Sequence, residues 1–191
     1  MSFVRRVALT SLAPLLLLGA CAEDKPDPPA AEPTSSPPSV TASAAEPSAS
    51  AEPTLPPEAE GTGPEAAEAF VRHYFAVANY AQASGDARGL RSLGTDKCIA
   101  CQRSAQAVED IYKRGGQVVG GDATVDDVRV TNPQNGSRPQ STWVEATVTN
   151  AEQTVSGSGK LDGTYPAATV RMYFELIPVG DRFRVTQWGQ K

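Results

Sequence analysis

Residues 65–86 read EAAEAFVRHYFAVANYAQASGD, and this stretch predicts the longest helix of the fold. Apolar side chains recur with a helical period of about 3.6 residues, at Ala67, Phe70, Val71, Tyr74, Val77, Ala78 and Ala81. Upstream, Thr62 and Glu65 have the spacing of a capping box, and Pro64 suits a first helical turn. Gly85 is a natural stop. We therefore expect an amphipathic helix between Pro64 and Gly85.

Two further helices are expected after the first one. Asp86 can cap a second helix that runs to Leu93, and Asp96 can cap a third that runs to Arg114. Glycines follow both ends, as is typical of helix termini. The third helix carries an apolar stripe with spacings of three and four residues, at Cys98, Cys101, Ala105, Val108 and Tyr112.

Beyond residue 117 the apolar period changes to two, which indicates strands. Four segments alternate in this way, namely DATVDDVRV at 122–130, TWVEATVT at 142–149, AATVRMYFELI at 167–177 and RFRVTQW at 182–188. Asp126 and Asp127 interrupt the first alternation, as a bulge does. The tight connection at residues 179–181 predicts an antiparallel hairpin between the last two segments. The fold class is therefore α+β over residues 64–191, with three helices packed on a curved, cone-like antiparallel sheet of four or five strands.

The order of these features resembles that of a known family. The helix with Phe70, Val71 and Tyr74, the closing Gly-Asp, the Cys-x-x-Cys pair and the following Gly-Gly pairs resemble a domain of unknown function found in actinobacterial lipoproteins. More loosely, the arrangement is similar to the nuclear-transport-factor-2-like cone folds. That second resemblance implies a pocket between helices and sheet, and we place Tyr74, Asp86 and Tyr112 in it. Cone folds include enzymes, ligand binders and docking modules, so the fold implies no activity.

The N-terminus has the features of a bacterial lipoprotein leader. Two arginines precede an apolar run at 7–18, which is shorter than the about 20 residues that a bilayer-spanning helix needs. The sequence LGAC at 18–21 resembles the lipobox, which implies cleavage before Cys21 and acylation of its sulfur. We expect a signal peptide at 1–20 and a diacylglyceryl anchor on Cys21 that holds the chain at the extracytoplasmic face of the cell membrane. The alternative is an ordinary signal peptide followed by a chance cysteine.

A disordered linker is expected at residues 21–63. After Cys21 it contains ten prolines, eight acidic residues, one lysine and no aromatic side chain, so it cannot bury enough surface to offset its ordering entropy. Residues 64–191 carry fourteen charges of each sign. A neutral domain behind an acidic linker argues against nucleic acid as a partner, because that ligand requires a basic face.

The paired cysteines are the most specific chemical feature of the domain. With Cys21 acylated, Cys98 and Cys101 remain, and an oxidising compartment favours a disulfide between them. One helical turn brings such positions within bonding reach. A redox-active pair is an alternative that requires an exposed cysteine. A metal site is a weaker alternative, because the chain has a single histidine and no second Cys pair.

Other candidate residues have ordinary structural interpretations. We expect His73 at the boundary or surface of the first helix, since no nucleophile is placed beside it. Asp126 and Asp127 point to opposite faces of a strand and chelate a cation poorly. Trp143 and Trp188 lie opposite the apolar alternation, where they pack at the sheet or offer stacking to a sugar or a partner.

No group of residues amounts to a catalytic site, and we expect neither a cofactor nor a metal. The first hypothesis is a non-enzymatic envelope lipoprotein whose domain binds a small apolar molecule, a cell-wall fragment or another envelope protein. The alternative is a cone-fold isomerase or dehydratase that uses Asp, Tyr or His side chains of the pocket. An enzyme requires at least two titratable side chains in one pocket, whereas a binder requires only a concave apolar or aromatic surface.

Overall fold

The computed structural model describes residues 51–132 and 141–191. The expected signal peptide, the expected lipid site at Cys21 and the linker up to residue 50 lie outside the described residues. The helices are a short 3-10 helix at Pro57–Ala59, α1 at Pro64–Ser84, α2 at Arg88–Leu93 and α3 at Ile99–Lys113. The strands are β1 at Gln117–Gly120, β2 at Ala123–Val130, β3 at Thr142–Asn150, β4 at Gln153–Ser156, β5 at Gly163–Tyr165, β6 at Ala168–Val179 and β7 at Arg182–Gln190.

Helix α1 has the predicted bounds and buries the predicted apolar face. It ends at Gly85, whose φ of 78° is left-handed, and a Cβ there would lie 2.5 Å from the ring of Tyr112. The predicted capping box does not form, because the N-cap residue is Gly63 and no side chain bonds to it. Pro64 lacks an N–H and so removes one of the donors that a cap would satisfy.

The start of α3 also differs from the prediction. Its N-cap residue is Cys98 and not Asp96, and the sulfur of Cys98 accepts a hydrogen bond from the N–H of Cys101 at 3.2 Å. Cys98, Cys101 and Ala105 are fully buried, so the predicted stripe faces the core. This places both cysteines at the junction of α3 with the rest of the domain.

The four predicted strands form one antiparallel sheet in the order β2-β3-β6-β7. The predicted hairpin is present, with Val179 paired to Arg182, and the predicted bulge lies between Asp126 and Arg129, with Asp127 at φ 46°. The expected total of four or five strands is wrong, because β1, β4 and β5 form a second antiparallel sheet. These strands have only three or four residues each, which is too short for a clear period of two.

The two sheets join at a corner, where the backbone is closely packed. The N–H of Gly121 donates to the carbonyl of Glu152 at 2.9 Å, and the N–H of Ala151 donates to the carbonyl of Asp122 at 3.0 Å. A Cβ at Gly120 would lie 2.4 Å from the Glu152 carbonyl oxygen, so the corner requires glycine. The strands therefore form a bent wall, and α1 contacts strands of both sheets.

Side chains of α1 cover the outer edge of β2. Asn79 donates to the carbonyl of Ala123 at 3.0 Å and accepts from the N–H of the same residue at 2.9 Å. Arg72 donates to the carbonyl of Val125 at 2.8 Å. These bonds satisfy backbone groups that an edge strand otherwise leaves open, and they fix α1 relative to the sheet.

The folded part begins before the predicted boundary at residue 64. Ala59 is fully buried, Leu55 packs against the core, and the N–H of Gly61 donates to the carbonyl of Asp181 at 2.8 Å. The expected linker is therefore wrong for residues 51–63, because their few apolar side chains find a place on the domain. Within the described ranges, no helix has both the length and the apolar character to cross a membrane.

Candidate functional site

A cavity of 290 Å³, here called the inner cavity, lies between the helices and the bent wall of strands. Its apolar lining includes Phe75 from α1, Leu90 from α2, Val108 and Ile111 from α3 and Met172 from β6. Ligand pockets in proteins start at about 300 Å³, so the inner cavity has the size of a small-molecule site. None of the described residues that line it carries a formal charge.

Two of the described residues that line the inner cavity carry a buried polar group without a partner. The Tyr74 hydroxyl and the Trp188 indole nitrogen are both buried, and neither has a hydrogen-bond partner among the described residues. Burial raises the pKa of Tyr74 to about 12, and the neighbouring Trp188 indole opposes part of that rise. The two groups therefore lie close together without completing a hydrogen bond of normal geometry. Each can donate to an acceptor atom, but both atoms are covered in this structure, so an acceptor reaches them only when neighbouring side chains move.

A pair of glutamines separates the inner cavity from a second one. The side-chain amide of Gln153 donates a hydrogen bond to that of Gln82, which bridges β4 and α1. Both residues line the inner cavity, and both also line an adjacent cavity of 250 Å³, here called the outer cleft. Asn150, Tyr165 and Pro166 contribute to the outer cleft, which is the more polar of the two spaces.

Of the three residues predicted to line a pocket, only Tyr74 lines the inner cavity. Asp86 instead forms an ion pair with Arg88 at 2.6 Å, whose hydrogen bonds lower the pKa of Asp86 to about 2. The Tyr112 hydroxyl donates to the carbonyl of Gln82 at 2.6 Å. Its ring occupies the space that Gly85 leaves at the end of α1, so the prediction for Asp86 and Tyr112 is wrong.

His73 is buried and does not line the inner cavity, so the expectation of a boundary or surface position is wrong. Burial lowers the pKa of His73, and the negative charge of Glu52 opposes that effect. Glu52 belongs to the segment at 51–63, which was expected to be disordered.

The predicted disulfide between Cys98 and Cys101 is present. Both residues are fully buried. The redox alternative required an exposed cysteine, and the structure contradicts it. Within the described ranges, no cluster of three or more His, Cys, Asp or Glu side chains is arranged to hold a metal.

The expected position of Trp188, on the outer face of the sheet, is wrong. Its side chain lines the inner cavity instead. A strict period of two from Val185 places Trp188 outside, but the register between β6 and β7 shifts at Thr186. The extra residue reverses the alternation, and Trp188 then pairs with Phe174, which is fully buried. The hint in the sequence is the pair of consecutive polar residues Thr186 and Gln187 before the tryptophan.

Trp143 packs on the sheet as expected. Its ring stacks on that of Tyr173, with ring centroids 5.7 Å apart and planes inclined by 25°. Asp126 and Asp127 lie at the bulge of β2, and both side chains are exposed to solvent.

Several solved structures are similar to this chain at low sequence identity. The intermembrane space region of the chloroplast protein ARC6 is 16% identical with a TM-score of 0.48, and the match covers 67% of this chain and 95% of that one. A protein from Novosphingobium aromaticivorans, provisionally described as an aromatic ring hydroxylase, is 9% identical with a TM-score of 0.48 and coverage of 68% and 90%. These matches say nothing about what the chain binds. The sequence matches no curated protein.

A family described only as of unknown function, DUF6318, matches residues 40–170. The match covers most of the chain, and it includes α1, the Cys98–Cys101 pair and the corner glycines Gly120 and Gly121. It begins inside the proline-rich segment, before the folded part that the structure describes. The chain therefore belongs to the family of unknown function DUF6318.

Proposed function

We propose that the domain is a non-enzymatic binding module for a small, uncharged and largely apolar ligand that carries a hydrogen-bond acceptor. The ligand occupies the inner cavity. The observation that carries the proposal is that two buried donors, the Tyr74 hydroxyl and the Trp188 indole, belong to residues that line an apolar space of 290 Å³.

The energetics of buried polar groups support this proposal. A buried donor without a partner costs about 1–3 kcal/mol relative to one that is satisfied. A ligand carbonyl has two lone pairs, so it can accept from Tyr74 and Trp188 at once. The apolar lining supplies affinity through area removed from water, at about 25 cal/mol per Å². The uncharged lining disfavours an ionic ligand, whose desolvation nothing there would offset.

The enzyme alternative has weaker support. It requires two titratable side chains that converge on one space, and among the described lining residues only Tyr74 titrates. Asp86 is neutralised by Arg88 at the surface, and His73 is buried elsewhere in α1. A tyrosine whose pKa is about 12 is a poor general base near neutral pH.

We also propose that a lipid on Cys21 holds this module at the extracytoplasmic face of the cell membrane, with the proline-rich segment as a spacer. The leader pattern at 18–21 supports this placement. In cells that carry the C21S variant, the chain is expected to leave the membrane fraction. Intact mass of the wild-type protein is expected to show acyl chains, and a mass without them contradicts the anchor.

The two tryptophans of the chain allow a direct test of ligand binding. Full-length protein in lipid nanodiscs, labelled with 5-fluorotryptophan, gives one fluorine NMR signal from Trp188 in the inner cavity and one from Trp143 on the outer face. Titration with 2-hexanone is expected to shift the Trp188 signal saturably and to leave the Trp143 signal in place. Hexane of similar size is expected to bind more weakly, because it offers no acceptor.

Empty nanodiscs and the two single-tryptophan variants, W143F and W188F, assign the signals and correct for partition into lipid. If 2-hexanone moves neither signal up to its solubility limit, or moves only Trp143, the inner cavity is not the binding site. If hexane binds as tightly as 2-hexanone, the two donors do not recognise the ligand.

A further inference from the structure

The inner cavity and the outer cleft share a wall made of two side chains. Gln82 from α1 and Gln153 from β4 line both spaces, and a hydrogen bond joins their amides. Among the residues that the structure describes, neither amide has a second side-chain hydrogen-bond partner. The wall therefore depends on one hydrogen bond between two flexible side chains.

We propose that the inner cavity and the outer cleft are two halves of one binding channel, and that the Gln82–Gln153 bridge is a gate that an elongated, uncharged amphiphile displaces. This inference rests on the proposed function and adds a second subsite and a ligand shape to it. The apolar body of the ligand lies in the inner cavity, and a polar, uncharged head group lies in the outer cleft.

The backbone on both sides of the bridge is fixed, so opening involves side chains alone. The carbonyl of Gln82 accepts a hydrogen bond from the Tyr112 hydroxyl at 2.6 Å. Gln153 is paired with Gly120 on one side and with Tyr165 on the other. The Gln153 amide rests on Gly121, where a Cβ would lie 2.4 Å from its nitrogen. That glycine leaves room for the amide to lie flat against the backbone.

The spacing of polar groups along α1 gives the length of the ligand. Tyr74 and Gln82 are eight residues apart, which corresponds to about 12 Å along a helix at 1.5 Å per residue. The ligand then needs a hydrogen-bond acceptor at its inner end, near Tyr74. It also needs a second polar group, about 12 Å from the first, that both donates and accepts, so that its hydrogen bonds replace the one between the two glutamines. Neither space has a charged residue among its described lining, so both ends are uncharged.

The test compares a long and a short probe in the fluorine NMR titration. Octane-1,8-diol places two hydroxyls at about the required separation, whereas 2-hexanone occupies the inner cavity alone. In the Q82M/Q153M double variant, which keeps the length of both side chains and removes both amides, octanediol is expected to bind about fivefold more weakly, as the loss of one or two hydrogen bonds implies. The affinity for 2-hexanone is expected to change less than that for octanediol, because the Tyr74 and Trp188 donors proposed to bind the ketone are retained.

The control variant is Q187M, because Gln187 is exposed on β7 and lines neither space. It is expected to change neither affinity. If the double variant leaves octanediol binding unchanged while 2-hexanone still binds, the gate and the second subsite are wrong and the proposed function stands. If neither probe shifts the Trp188 signal of the wild-type protein, the proposed function fails and this inference fails with it. Circular dichroism confirms that the double variant is folded.

Discussion

Replacing Tyr74 by phenylalanine tests the central feature of the inner cavity. The substitution removes one oxygen atom from a side chain that is 4% exposed and whose hydroxyl has no described partner. Most substitutions in a protein core are destabilising. Here the opposite sign is expected, because the wild-type hydroxyl is desolvated without a compensating hydrogen bond.

The magnitude follows from that missing bond. An unsatisfied buried polar group costs about 1–3 kcal/mol, and loss of the oxygen forfeits part of this through weaker packing. We expect the free energy of unfolding of Y74F to exceed that of the wild-type protein by about 1 kcal/mol, which raises the melting temperature by about 4 °C for a domain of this size. Urea denaturation followed by circular dichroism gives the change, provided that the slope with urea is unchanged.

Tyr112 and Tyr80 provide matched controls. The Tyr112 hydroxyl donates to the carbonyl of Gln82 at 2.6 Å, so Y112F is expected to destabilise the domain by about 1 kcal/mol. Tyr80 lies on the same helix as Tyr74, but its hydroxyl is not among the buried atoms without a partner, and Y80F is expected to change little. With saturating 2-hexanone the sign for Y74F should reverse, because the ligand then satisfies the wild-type hydroxyl. If Y74F is destabilised as much as Y112F in the absence of ligand, the hydroxyl has a partner and our account of the cavity is wrong.

Three further predictions concern the framework around the cavity. Burial lowers the pKa of His73 below 6.5, so the unfolded chain binds a proton at this residue more readily than the folded protein does. The free energy of unfolding should therefore fall as the pH drops through about 6.5, and the fall should level off below the pKa of the folded state. H73F should flatten that slope in urea midpoints measured between pH 8 and pH 5, and an unchanged slope would assign it to other groups. Dithiothreitol should reduce the buried Cys98–Cys101 bond only in urea, as mass after alkylation reports, and reduction in native buffer contradicts the burial of both sulfurs. N79A should lower the free energy of unfolding by about 1–3 kcal/mol, because both hydrogen bonds between Asn79 and Ala123 are lost. R72A should lower it less, because the single hydrogen bond from Arg72 to the Val125 carbonyl is exposed to solvent.

The long elements were predictable because each carries many repeats of its own period. Helix α1 spans six turns of apolar spacing, and β3 and β6 alternate over nine and twelve residues. The second sheet was not predictable, since its strands are three or four residues long and its corner depends on contacts between distant glycines and carbonyls. Tyr74 was placed correctly because its helix was. The predicted position of Trp188 was wrong because Thr186 is an extra residue at a bulge. The side chains that follow it in β7 therefore point to the opposite faces from those that a strict alternation predicts.

Buried polar atoms without partners are not by themselves a sign of function. Thr95 and Trp143 also carry one each, and neither lines the inner cavity. What distinguishes Tyr74 and Trp188 is that these two residues, from α1 and from β7, line the same apolar space. Hydrogen bonding is incomplete at both of these side chains, whereas Cys98 caps α3 and side chains of α1 bond to the edge of β2. A fold tolerates such a conflict where a ligand resolves it, and an uncharged acceptor between these two side chains satisfies both donors at once.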